Sequence, residues 1–200
     1  MTPADTGFHL MAHTRRSVRR FEPLAIPEEV VRRVLETSVR APSAHNRQPW
    51  RFAVVCRAEA RRALAAAMGK QFRADLLGDG LQPGEADQRV MRSRERIVAA
   101  PLVVVLCLSM KNMDGYPDER RQEAERAMAM QSVALAGGHL LLAAHAEGLG
   151  ACWMCAPLFA PQAVHAALSL PADWEPQAMV LLGYPAGPGP ETTRLGLDDV

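Results

Sequence analysis

Apolar residues along this chain fall into blocks of helical and of strand period, separated by short runs rich in proline and glycine. Val30, Val31, Val34 and Leu35 repeat at helical spacing with Arg32, Arg33 and Glu36 between them, which predicts a helix from Pro27 to about Arg40 with one packed and one wetted face. Pro27 suits a first turn, and Glu28 and Glu29 suit the positive end of the helix dipole. A short helix over about Phe8 to His13 precedes it. Residues 41–50, Ala-Pro-Ser-Ala-His-Asn-Arg-Gln-Pro-Trp, hold two prolines and several small polar residues and read as a loop. Trp50 to Cys56 is bulky and β-branched, the composition of a strand, and Glu59 to Met68 is an alanine-rich helix.

Glycines at 69, 78 and 80 bracket residues 69–82, which predicts a separate short helix acting as a lid or insertion. Pro83 can open the next helix and Pro101 stops it, so that helix is expected from about Pro83 to Val98. Leu102 to Leu108 is a continuous apolar run, the pattern of a strand buried on both faces and the expected centre of the sheet. From about Asp118 to Glu147 there is no proline, and one long helix is predicted, polar for two turns and apolar afterwards. Its stretch from Ala127 to Ala146 is apolar enough to raise a membrane span. Gln131, Ser132, His139, His145 and the pair Gly137-Gly138, with no interfacial aromatics, favour a core helix covered all round, including by a second subunit. Ala134, Ala136, Gly137 and Gly138 would allow close backbone approach there. Ala151 to Cys155 follows as a short strand or extended turn, then a helix from Pro161 to Leu168, a strand from Gln177 to Tyr184, and a Pro/Gly-rich tail over 185–200. This order makes a single α+β or α/β domain over 1–200, three layers deep, with helices covering a sheet.

Charge narrows the function. With 23 basic and 22 acidic side chains the net charge is +1, so no global field holds nucleic acid or an anionic membrane, and any anion site is local. The N-terminus lacks the pattern of a signal peptide, and four cysteines are too sparse for a disulfide scaffold, so a cytoplasmic protein is expected. Against this balanced background Arg15, Arg16, Arg19 and Arg20 crowd one stretch around Ser17. Guanidinium forks with a hydroxyl and backbone N–H groups suit a phosphate monoester; alone, the stretch also fits a solvated basic turn.

Three stretches taken together resemble the FMN-dependent nitroreductase family: Arg15-Arg16-Ser17-Val18-Arg19, Ala41-Pro42-Ser43-Ala44-His45-Asn46-Arg47-Gln48-Pro49-Trp50, and Gly148-Leu149-Gly150-Ala151-Cys152-Trp153. Within that family the chain looks most like the nitroreductase-like C-terminal domain of the γ-glutamyl ligase that builds the hydroxydeazaflavin coenzyme. The stretches carrying that likeness are Arg73-Ala74-Asp75-Leu76 with Asp79-Gly80-Leu81, Ser93-Arg94-Glu95, Tyr116-Pro117-Asp118 with Arg120-Arg121, and Leu170 to Pro176. No ligase domain is expected with it, which leaves amide formation outside the expected chemistry. The resemblance implies an α+β, nitroreductase-like three-layer fold with a mixed, mostly antiparallel sheet and a long central helix, in an obligate homodimer holding two FMN sites built from both subunits.

By that resemblance Arg15, Ser17 and Arg19 hold the FMN phosphate and ribityl chain, with Arg16 beside the pyrimidine ring. Pro42, Ser43, Ala44 and Asn46 reach the same flavin from the opposite subunit, Ala44 standing where relatives often place a second serine. Trp153, Met154 and Cys155 run behind the ring, with the backbone N–H near Cys155 directed at N5, and Arg194 is the candidate C-terminal phosphate contact. A cation at the N1/O2 edge stabilises reduced flavin; of Arg94 and Arg96, the closer likeness favours Arg94. The implied activity is ping-pong hydride transfer from a reduced donor such as NAD(P)H to a small nitroaromatic, quinone or conjugated double bond. Reduction of a dehydro precursor of the deazaflavin coenzyme and a non-catalytic flavin-binding protein are the alternatives.

No side-chain nucleophile is then required, and none of the common hydrolase, zincin or dinucleotide motifs occurs. Cys152-Trp153-Met154-Cys155 also raises a thiol-disulfide centre or half a zinc site, but it follows a helix where a thioredoxin-type motif opens one, and no second pair completes a metal site. Cys56 and Cys107 are expected as buried core residues, His139 and His145 as core or interface residues, and His45 on the substrate side of the flavin.

Overall fold

The protein was analysed as a computed structural model, which describes residues 7–187, 189 and 191–200. Helix α1 (Phe8–Thr14) leads through an extended segment to α2 (Glu28–Ser38), then β1 (Trp50–Val55), α3 (Ala58–Gly78), α4 (Pro83–Ala99), β2 (Leu102–Leu108), α5 (Glu119–Ala146), β3 (Gly150–Met154), α6 (Pro161–Leu168) and β4 (Glu175–Gly183). The sheet order is β1-β2-β4-β3 with every strand pair antiparallel. Among the described residues the one parallel pairing is a single bridge between Ser17 and Ala151.

Strand β2 explains the layering. All seven of its residues are buried, and because side chains alternate across a sheet, Leu102, Val104, Leu106 and Leu108 face one core while Val103, Val105 and Cys107 face another. The first core is closed by Val34 of α2 and by Ala129, Val133, Ala136 and Leu140 of α5. The second is closed by Leu64, Ala65 and Met68 of α3, Ile97 of α4 and Val164 of α6. Helix–sheet–helix layering follows from the doubly buried strand.

Helix α5, 28 residues long, is apolar enough by length and composition to cross a membrane, but its Ala129, Val133, Ala136 and Leu140 pack on the sheet. Asp118 caps it by accepting from the Arg121 N–H at 3.0 Å. Within one chain the helix is not covered all round: Met130 is 39% and Leu135 47% exposed. The small residues divide between two faces. Ala136 and Gly137 are buried against the chain's own sheet, whereas Ala134 is exposed and a Cβ on Gly138 would meet open space.

Two expectations need correction. Residues 69–82 do not form a separate short helix: α3 runs unbroken from Ala58 to Gly78, and only the turn to Pro83 is irregular. Gly69 is there for proximity, since a Cβ at this position would lie 3.2 Å from Val90 Cγ1 on the antiparallel α4. Cys56 is exposed beyond the end of β1, while Cys107 is buried.

Candidate functional site

The basic stretch after α1 lies along β3, an edge strand. The Val18 N–H donates to the Ala151 carbonyl at 2.9 Å, and the Glu22 N–H to the Tyr184 carbonyl at 2.8 Å. Val18 is buried over Gly150, where a Cβ would come within 2.7 Å of its side chain, so an extended backbone here turns Ser17 and Arg19 the other way. Arg16 Nη1 donates to the His13 and Arg15 carbonyls at 2.5 and 2.9 Å, and Arg19 Nη1 to the Ser17 carbonyl at 3.4 Å. None of Arg15, Arg16, Arg19 and Arg20 has a carboxylate partner among the described residues. Arg15 and Arg16 line a concavity of about 600 Å³ with Val18, His145, Gly150 and Glu191. His145 Nε2 sits 2.9 Å from Thr14 Oγ1, and its pKa is lowered, first by burial and then by Arg15 and Arg16.

At the end of β3, Trp153 and Met154 are half-buried and Cys155 is exposed. The indole of Trp153 occupies the space a side chain at position 137 would need: a Cβ on Gly137 would meet its Cζ3 at 2.1 Å. Its Nε1 donates to Cys155 Sγ at 3.0 Å. All four cysteines are free thiols, and among the described residues no group of three His, Cys, Asp or Glu side chains is placed to hold a metal ion.

The loop after α2 is bent by left-handed backbone at His45 (φ 49°), Asn46 (φ 54°) and Gln48 (φ 49°). Non-glycine residues hold such angles at a cost of roughly 1–3 kcal/mol each, and only where neighbours enforce them. The enforcing contacts are visible. Ala44 N–H donates to Ser132 Oγ at 3.2 Å, Gln48 N–H to Ser43 Oγ at 3.1 Å, and Ser38 Oγ to the Ala136 carbonyl at 2.8 Å. Gln48 Nε2 donates to Asn46 Oδ1 at 3.2 Å. Arg47 pairs with Asp114, whose own N–H donates to the fully buried Glu125. Helix α5 thus holds the loop at several points.

No residue of 41–49 lines the concavity beside Arg15 and Arg16 or the one that ends at Cys155, so one chain does not bring the two groups of candidate residues together. Arg194 also stays apart: its Nη1 donates to Thr192 Oγ1 and the Thr193 carbonyl within the tail. On α4 the two candidate arginines, Arg94 and Arg96, point to different faces. Ser93 and Arg96 line one concavity with Phe72, Arg89 and Arg92, and Arg94, about 100° around the helix from Ser93, does not line it. The burial of Glu125 and the hold of Ser132 on the loop escaped the sequence reading, since neither residue type signals it.

Residues 12–184 match the model of the nitroreductase family. The chain belongs to the nitroreductase family. A family member from Thermus thermophilus, an NADH dehydrogenase, is 34% identical, with 93% of this chain and 90% of the relative covered. A 5,6-dimethylbenzimidazole synthase from Rhodospirillum rubrum is also 34% identical over 95% of this chain and 88% of its own. A Desulfovibrio desulfuricans protein solved in complex with FMN superimposes with a TM-score of 0.74 at 27% identity, covering 97% of this chain and 94% of that one. For this family member the α+β fold with a long central helix is therefore established, and the likeness to the coenzyme ligase's C-terminal domain has no counterpart among these relatives.

Proposed function

We propose that this chain is an FMN-dependent oxidoreductase that passes two electrons from a reduced donor such as NAD(P)H to a small organic acceptor, as a homodimer of single-domain subunits with each site shared between two copies. The observation that carries the reading is the basic stretch itself. Arg16 and Arg19 are steered by backbone carbonyls, and Arg15, Arg16 and Arg19 carry no carboxylate partner among the described residues and flank Ser17. That donor set fits the phosphate of FMN, and the complex of the Desulfovibrio desulfuricans relative supports the choice of cofactor.

In this reading Arg15, Ser17 and Arg19 bind the phosphate and ribityl chain, and Arg16 lies beside the pyrimidine ring. Arg94 of α4 is the cation proposed for the N1/O2 edge. Trp153 and Met154 back the ring, with the Cys155 N–H turned to N5. Pro42, Ser43, Ala44 and Asn46 come from the second copy, which accounts for a strained loop that meets no arginine of its own stretch. Bound FMN supplies the hydride chemistry; the chain orients it and shields it from water. Arg194 joins the phosphate contacts only if the tail rearranges in the dimer. The exposed Met130, Ala134 and Leu135 on α5 are the face offered to the partner, and free thiols suit a reducing compartment such as the cytoplasm.

The acceptor classes are nitroaromatics, quinones and conjugated double bonds. A dehydro precursor of the hydroxydeazaflavin coenzyme is the second reading, although the residues of that likeness have structural tasks here: Arg73 pairs with Asp87, Arg121 stacks over Tyr116, and Asp173 accepts from Ser109. The test is anaerobic bleaching of the purified yellow protein by NADH or NADPH, followed by a panel of acceptors that includes such a precursor and a search for 5,6-dimethylbenzimidazole among the products. Bleaching and recolouring by an acceptor are expected; a yellow protein that no donor bleaches leaves only flavin binding. Arg15→Ala protein that still purifies with full FMN would remove the assigned phosphate site.

A further inference from the structure

Helix α4 carries charge that the cofactor site does not use. Arg89, Arg92 and Arg96 lie on one face of it and, with Ser93 and Phe72, line a concavity of about 470 Å³. Arg89 pairs with Glu85 at 2.7 Å, but Arg92 and Arg96, one turn apart, have no carboxylate partner among the described residues. Like charges at that spacing destabilise a helix, so this face is favoured by a bound anion. The concavity adjoins a second one: Phe72 and Ser93 also line an apolar cavity of about 510 Å³ that reaches Cys155 and Ala156. Phe72, 38% exposed, stands at the junction. Asp75 of α3 and Asp79 just past its end line the same apolar cavity, so an anionic group is repelled from them and drawn toward the arginines. One orientation is selected.

We infer that the Arg89–Arg92 groove binds the anionic arm, a phosphate or a carboxylate, of a reactant whose planar part lies toward Cys155. The inference rests on the proposed function for what happens beside Cys155. Two sources provide such an arm: a donor dinucleotide with an extra phosphate, or an acidic acceptor. The experiment uses the FMN-loaded protein and two matched pairs, NADPH with NADH and 4-nitrobenzoate with 4-nitrobenzamide. For each pair the ratio of KM values is measured, and for the dinucleotides also the dissociation constants of the oxidised forms, which need no turnover. Arg92→Gln is expected to weaken the more anionic member of one pair about tenfold relative to its counterpart, with the same trend in wild type as salt is raised. The responding pair names the source. Arg62→Gln, which removes the same charge from the surface of α3 outside the groove, leaves both ratios in place. If neither ratio moves in Arg92→Gln protein that folds and retains FMN, the inference is overturned; failure of the wild type to bind FMN would instead sink the proposed function.

Discussion

Gly137 links the core helix to the candidate site through one contact, and Gly137→Ala is the most informative single perturbation. In a helix interior, replacing Gly with Ala gains about 1 kcal/mol from propensity alone. Here the new methyl would fall 2.1 Å from Trp153 Cζ3, 2.8 Å from its Cη2 and 2.9 Å from Leu106 Cδ2. Leu106 is fully buried in the centre of the sheet and cannot retreat, so the indole must move or the helix must lift. Overpacking of this kind costs about 1–3 kcal/mol, and overlap with a ring on one side and a core leucine on the other belongs at the upper end. Set against the propensity gain, a net loss of about 2 kcal/mol follows, or roughly 4–8 °C in Tm for a domain of this size. Displacing the indole also breaks its hydrogen bond to Cys155 Sγ, so tryptophan emission should shift and FMN affinity fall although position 137 touches no proposed ligand. Thermal unfolding, emission spectra and an FMN titration on one preparation make the assay. A variant more stable than wild type, with unchanged emission and affinity, would refute the seating of Trp153 on Gly137.

Ser132→Ala removes the acceptor for the Ala44 N–H and leaves that part-buried donor unpaired; a loss of about 1–3 kcal/mol is expected, with faster hydrogen exchange at 43–48 in deuterium-exchange mass spectrometry. His145 makes a pH prediction. Its pKa is lowered in the folded protein, so the unfolded chain binds the proton more tightly. The contribution to stability is therefore complete above the ordinary histidine value near 6.5 and is lost as pH falls from there through the lowered folded value. Flavin-free His145→Gln protein should lose less stability than wild type between about pH 6.5 and 5 in urea titrations, and parallel curves for the two would contradict the assignment.

The sequence revealed periodicity and hid phase. The run Leu102 to Leu108 announced a doubly buried strand, and it lies between β1 and β4 with no exposed residue. Asp118 and the proline-free stretch after it announced α5 to within a residue at each end. Glycine misled twice. Gly69 looked like a helix breaker but marks where α3 and α4 touch, and Gly137 and Gly138 looked like one surface but point different ways, because adjacent helical residues differ by about 100°. Glu125 fell in the two turns read as polar, yet it is fully buried with its Oε1 accepting from the Asp114 N–H. Left-handed φ at His45, Asn46 and Gln48 has no reliable signature in residue type, and it is what gives the loop its shape. The basic stretch stood out because a nearly neutral chain gathers four arginines there.

The central claim is that two copies of this chain share each flavin. It is tested most directly by measuring mass in solution and FMN content together, for wild type and for Leu135→Glu, a charge placed on the exposed face of α5 at a residue 47% exposed in the single chain. Two FMN per dimer are expected for wild type, with dimer and flavin lost together in the variant. A monomeric wild type that binds FMN stoichiometrically, or a monomeric variant that keeps it, would contradict the account.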